Sequence, residues 1–84
     1  MQIEKGTQVR LKTFLGTLAA RKKINPGDNY WKLIGEKGKV IDDEVYNGRV
    51  LVLFEKNLDD FEVENHNPIP NSLYIKESDL ELDN

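Results

Sequence analysis

The sequence predicts a mostly β protein: a five-stranded small barrel with a short helical or loop insertion after its first strand. Three observations carry that reading. Gly35-Glu-Lys-Gly38-Lys-Val40-Ile41 is a glycine-bracketed bend running into an extended apolar segment. Asn47-Gly48 is the strongest short hairpin signal a sequence can hold, and it precedes the apolar run Arg49-Val-Leu-Val-Leu-Phe54. At 84 residues the chain is expected to form a single domain over residues 1–84.

The elements follow in order. Thr7-Gln-Val9-Arg-Leu11-Lys12 alternates with period two, which predicts a half-buried strand with Val9 and Leu11 inward. In the inserted segment, about 13–28, Phe14, Leu15, Leu18 and Ala19 fall at helical spacing. Arg21-Lys22-Lys23 stand where cations favour a helix C-terminus. One short helix, or a loop with a helical turn, is expected there. Asn25-Pro26-Gly27-Asp28 ends it with turn chemistry.

Tyr30 and Trp31 are adjacent, so an extended chain would point them to opposite faces. The next strand is read over Lys39–Asp42, with the hairpin turn over Val45-Tyr46-Asn47-Gly48. In Arg49–Phe54, Val50, Val52 and Phe54 share one face and Leu51 and Leu53 the other. Burial on both sides follows, with Phe14–Ala19 as the expected cover for the second face. Residues 57–70 form a long acidic loop, and loops of that length are often functional. Ser72-Leu-Tyr-Ile75 reads as a strand, Glu77-Ser-Asp79 as a 3₁₀ turn, and Leu80-Glu-Leu82 as a last short strand.

Charge is unevenly distributed. Residues 1–41 carry nine lysines and arginines against three acids, and residues 42–84 carry three against twelve. In a small barrel the two halves interleave in space, so the expectation is mutual neutralisation rather than two charged faces. No run approaches the roughly 18 apolar residues of a membrane span, and Met1-Gln-Ile-Glu-Lys-Gly6 has no apolar signal core. A soluble, cytoplasmic protein is expected, with no membrane association.

Catalytic chemistry finds little to work with. The chain has no cysteine, hence no thiolate nucleophile and no disulfide. His66 is the single histidine; it could pair with Asp59, Asp60 or Glu64, but a solvated loop histidine is expected. The acids Asp59, Asp60, Glu62 and Glu64 lack the spacing and the glycine of a calcium loop. Gly35-Glu-Lys-Gly38 lacks the spacing of a phosphate loop, and its glycines read as architectural. Asp42-Asp43-Glu44 read as a charged edge that discourages strand pairing. No catalytic residue, cofactor or dedicated metal site is expected.

Several segments resemble the SH3-like small barrels, and among these the photosystem I accessory subunit (PsaE-like) family. The matching stretches are Gly6-Thr-Gln-Val9, Asn29-Tyr30-Trp31, Gly38-Lys-Val40, Val50-Leu-Val52-Leu-Phe54-Glu-Lys56 and the terminal Ser78-Asp-Leu-Glu-Leu82. KOW-type barrels are similar through the Gly-x-Val step alone. Phe14–Asp28 departs from the family, and Leu53 stands where the family has a basic residue. The resemblance implies the barrel fold and a partner-docking role, without electron transfer.

The expected function is a non-catalytic protein-interaction or accessory module, monomeric or homodimeric. Its partner-binding residues are expected to be Tyr30, Trp31, Phe14, Leu18, Arg21, Lys22 and Lys23, beside the acidic loop. The alternative is an RNA- or DNA-binding small barrel. There Arg21, Lys22, Lys23, Lys32, Lys37 and Lys39 would follow phosphates and Tyr30 or Trp31 would stack on bases.

Overall fold

The computed structural model describes residues 3–20, 23–46, 48–65 and 69–83. Five strands form one antiparallel sheet: β1 (Gln8–Leu11), β2 (Lys37–Tyr46), β3 (Arg49–Phe54), β4 (Ser72–Lys76) and β5 (Leu80–Leu82). Their order across the sheet is β4-β3-β2-β1-β5. Among the described residues the only helical pieces are short 3₁₀ turns, at Pro26–Asp28, Tyr30–Leu33, Leu58–Phe61 and Glu77–Asp79.

The connection from β4 to β5 dictates how the sheet curves. These strands lie at opposite edges, about 19 Å apart in a flat five-stranded sheet. Only the 3₁₀ turn Glu77–Asp79 joins them, and it advances the chain by about 8 Å. The sheet must therefore curl until its two edges approach at that corner. They meet there and diverge: β4 pairs with β3, β5 pairs with β1, and no ladder joins them, so the expected barrel stays open.

A bulge in β2 helps the curl. Val40 pairs with Val52 and Asp42 with Leu51, so Ile41 is the extra residue, and an extra residue increases local twist. Gly38 is the other adaptation. A Cβ there would lie 2.7 Å from Val52 Cγ1 and 2.8 Å from the Leu53 carbonyl, so the inner face closes only with glycine.

The concave face holds the core. Val9 and Leu11 from β1, Val40 from β2, Val50, Val52 and Phe54 from β3, Leu73 and Ile75 from β4 and Leu80 from β5 form one buried cluster. Ile3, Phe14, Leu33, Leu58 and Val63, from outside the strands, complete it. Each fully buried aliphatic side chain contributes about 1.5–3 kcal/mol relative to exposure. Leu51, on the convex face, is 6% exposed but outside that cluster. Phe14 joins the inner cluster, so it is not the expected cover for Leu51 and Leu53; Leu51 instead lies between Asp42 and Tyr74 of the neighbouring strands.

Three local readings are corrected. β2 runs on to Tyr46, which pairs with Arg49, leaving a two-residue connection; Asn47 lies outside the described residues. Tyr30 and Trp31 sit in a 3₁₀ turn, not an extended chain, so both pack on the core. Asp43 does more than charge an edge: its Oδ2 accepts the Lys5 amide hydrogen at 2.9 Å.

The charged halves of the sequence do interleave. Arg10 and Lys37 both reach Asp83, at 3.0 and 3.7 Å, and Lys56 bonds Glu36 at 2.9 Å. Each bridge joins the two halves.

Candidate docking surface

The segment expected to be a short helix or a loop with a helical turn opens on a tight β-turn. Phe14 and Thr17 bond each other twice, amide to carbonyl, at 2.9 and 3.1 Å. Leu15 and Gly16 between them have φ of 51° and 79°. Two successive positive φ values mark a primed hairpin turn, which glycine adopts freely and leucine at a cost.

Asp79 holds that turn in place. Its side chain accepts the Leu15 amide at 3.0 Å, the Gly16 amide at 2.9 Å and the Thr13 hydroxyl at 2.7 Å. Its backbone carbonyl also accepts the amides of Lys12 and Thr13, at 2.9 and 3.4 Å. Successive amides in a left-handed turn form a concave anion seat, and here the chain fills the seat with its own carboxyl group. Asp79 is 1% exposed. A buried carboxylate is stable only when bonded this fully.

The aromatics lock onto the same turn. The Trp31 ring meets Phe14 edge-on at 4.9 Å between centroids, and Tyr30 lies 5.5 Å from Phe14. Trp31 Nε1 donates to Thr17 Oγ1 at 2.9 Å. Tyr30 Oη donates to the Glu64 carbonyl at 2.8 Å, and the Glu64 amide bonds the Gly27 carbonyl at 2.9 Å. Lys32 Nζ donates to the Phe61 carbonyl at 3.3 Å. Burial, then the charges of Asp28 and Glu64, raise the Tyr30 pKa above the ordinary 10.

The acidic loop thus joins the aromatic cluster mainly through its backbone. Leu58 and Val63 anchor it in the core, while Asp59, Asp60, Glu62 and Glu64 are exposed. Among the described residues no three acids or histidines converge to hold a metal ion. His66 lies outside them.

Beside Trp31 runs a half-enclosed groove of about 670 Å³, lined by Leu15, Thr17, Ala19, Ala20, Lys23, Ile24 and Trp31. That is within the size range of ligand clefts, about 300–1,000 Å³. Of its lining, Leu15 is 45% exposed; Leu18, the residue after the turn, is 74% exposed.

Of the residues singled out from the sequence, Trp31 and Lys23 line this groove and Leu18 follows the adjoining turn. Phe14 and Tyr30 support the groove from beneath and beside. Arg21 and Lys22 lie outside the described residues. Leu15 and Thr17 fell within the inserted segment without being singled out as site residues, and sequence reasoning missed Ile24 and above all Asp79. The available signal for the turn was Gly16, a poor helix residue inside an apparent helix.

No protein family, curated protein or solved structure matches this chain in comparison. Among the described residues no helix is long and apolar enough to cross a membrane.

Proposed function

We propose that this protein is a non-catalytic interaction module that binds a protein partner in the groove beside Trp31. The observation that carries the reading is the pairing of that groove with exposed Leu15, on a turn that Asp79 bonds, and exposed Leu18, the residue that follows the turn. A chain this small has few apolar side chains to spare from its core. Here Leu15 is exposed in the lining of a groove whose wall includes a tryptophan, a residue type that recurs at the energetic centres of interfaces, and exposed Leu18 lies between the lining residues Thr17 and Ala19 in the chain. A turn already bonded in place lowers the ordering cost of binding. The resemblance of the sequence to small docking barrels supports the same role.

The test compares wild type with Leu18→Asp. A leucine this exposed adds little to the fold, so the melting temperature should stay within about 2 °C. Each form is immobilised against the proteome of its source, with quantitative mass spectrometry. The proposal expects a protein retained by wild type and lost by the folded variant. Equal recovery on both counts against this surface.

A further inference from the structure

The chemistry of the groove narrows the kind of partner. We infer that it takes an extended, apolar peptide segment flanked by acidic residues; this rests on the docking reading above. The lining is aliphatic and aromatic apart from Thr17 and Lys23, and Lys23 is its one charged residue among those described. Among the described residues no carboxylate lines it. Asp79, which bonds the turn, is buried with its oxygens occupied by Thr13, Leu15 and Gly16.

The chain from Lys5 to Gly27, which supplies every described lining residue but Trp31, holds six lysines and arginines and no acid in its sequence. Arg10 is committed to Asp83, whereas Lys23 makes no salt bridge among the described residues. An acidic flank on the ligand therefore meets an uncommitted cation. The other side of the aromatic cluster is acidic, with Glu62 and Glu64 exposed beyond Tyr30. This sets a polarity: the ligand's apolar side chain lies against Trp31, Leu15 and Ile24, and its acids lie toward Lys23, away from Tyr30.

Nucleic acid fits the same geometry less well. The Trp31 ring packs edge-on against Phe14, its N–H is taken by Thr17, and its neighbours are aliphatic rather than a stacking platform. The net charge of −3 also opposes a polyanion at long range.

The test is selection of phage-displayed random dodecapeptides on the full chain, with Leu18→Asp and Lys23→Glu as parallel targets and a mixed-sequence 12-nucleotide RNA as a separate ligand. Wild type should enrich sequences with an aliphatic or aromatic residue within two positions of Asp or Glu. Resynthesised, these should bind Lys23→Glu at least about fivefold more weakly, since one attractive charge pair becomes repulsive. No enrichment on wild type over Leu18→Asp sinks the docking reading and this inference with it. Enriched peptides that lack acids and ignore Lys23→Glu overturn the acidic partner while leaving the docking surface standing. RNA binding that falls steeply with salt and is lost in Lys23→Glu overturns the inference in favour of a nucleic-acid surface.

Discussion

Replacing Asp79 with alanine removes the one acceptor shared by the hydroxyl of Thr13 and the amides of Leu15 and Gly16. A hydrogen bond to a charged group is worth about 1.5–3 kcal/mol net. Three such bonds do not add in full. Leu15 and Gly16 are exposed, so water can rehydrate their amides once the carboxylate is gone, and deletion also relieves the desolvation of a buried charge. A loss of about 2–4 kcal/mol remains. For a domain of this size that lowers the melting temperature by roughly 10–25 °C. Urea denaturation gives the free energy, and a double-mutant cycle with Gly16→Ala gives the mechanism. At φ 79° an alanine costs about 1–2 kcal/mol while the turn is held. Once Asp79→Ala releases the turn, that penalty should largely vanish, a coupling of about 1 kcal/mol. A loss under about 0.5 kcal/mol for Asp79→Ala, or strict additivity with Gly16→Ala, would refute the idea that Asp79 builds the turn.

Two further outcomes follow from the fold. Gly38→Ala puts a methyl group against the Leu53 carbonyl and Val52 in the centre of the sheet. It should cost about 1–3 kcal/mol in urea denaturation, and a neutral result would contradict the close approach of β2 and β3. Tyr30 should ionise above pH 10, because burial and then Asp28 and Glu64 hold its proton. Its raised folded pKa gives a contribution that is fully present below the unfolded value and lost as pH rises through the folded one. Stability should therefore fall above pH 10, less steeply in Tyr30→Phe. That variant should also lose about 0.5–1.5 kcal/mol at neutral pH with the bond to Glu64. Phenolate absorbance and alkaline denaturation measure both.

The strands were legible because their information is local. Val9 and Leu11, or Val50, Val52 and Phe54, announce a buried face by alternation alone, and the 3₁₀ turn at Glu77–Asp79 was readable from its residue types. The bulge at Ile41 was not, since an inserted residue leaves no mark until the partner strand is known. The turn at Phe14–Thr17 misled for a stronger reason. Its apolar spacing fits a helix, and what overrides that spacing is a carboxyl group 64 residues from Leu15. A sequence read segment by segment cannot weigh such a contact. The aromatic pair shows the same limit: Tyr30 and Trp31 were recognisable as surface candidates, yet only the 3₁₀ turn and Phe14 place them side by side.

The separation of fold and docking surface gives the account its most direct test. Amide chemical shifts of the ¹⁵N-labelled chain can be followed while an acid-flanked apolar peptide selected on it is added. Perturbations should centre on Leu15, Leu18, Ala19, Ala20, Lys23, Ile24 and the indole N–H of Trp31, with the convex strand residues Leu51, Leu53 and Tyr74 unmoved. Shifts centred on those convex residues, with the groove silent, would contradict it.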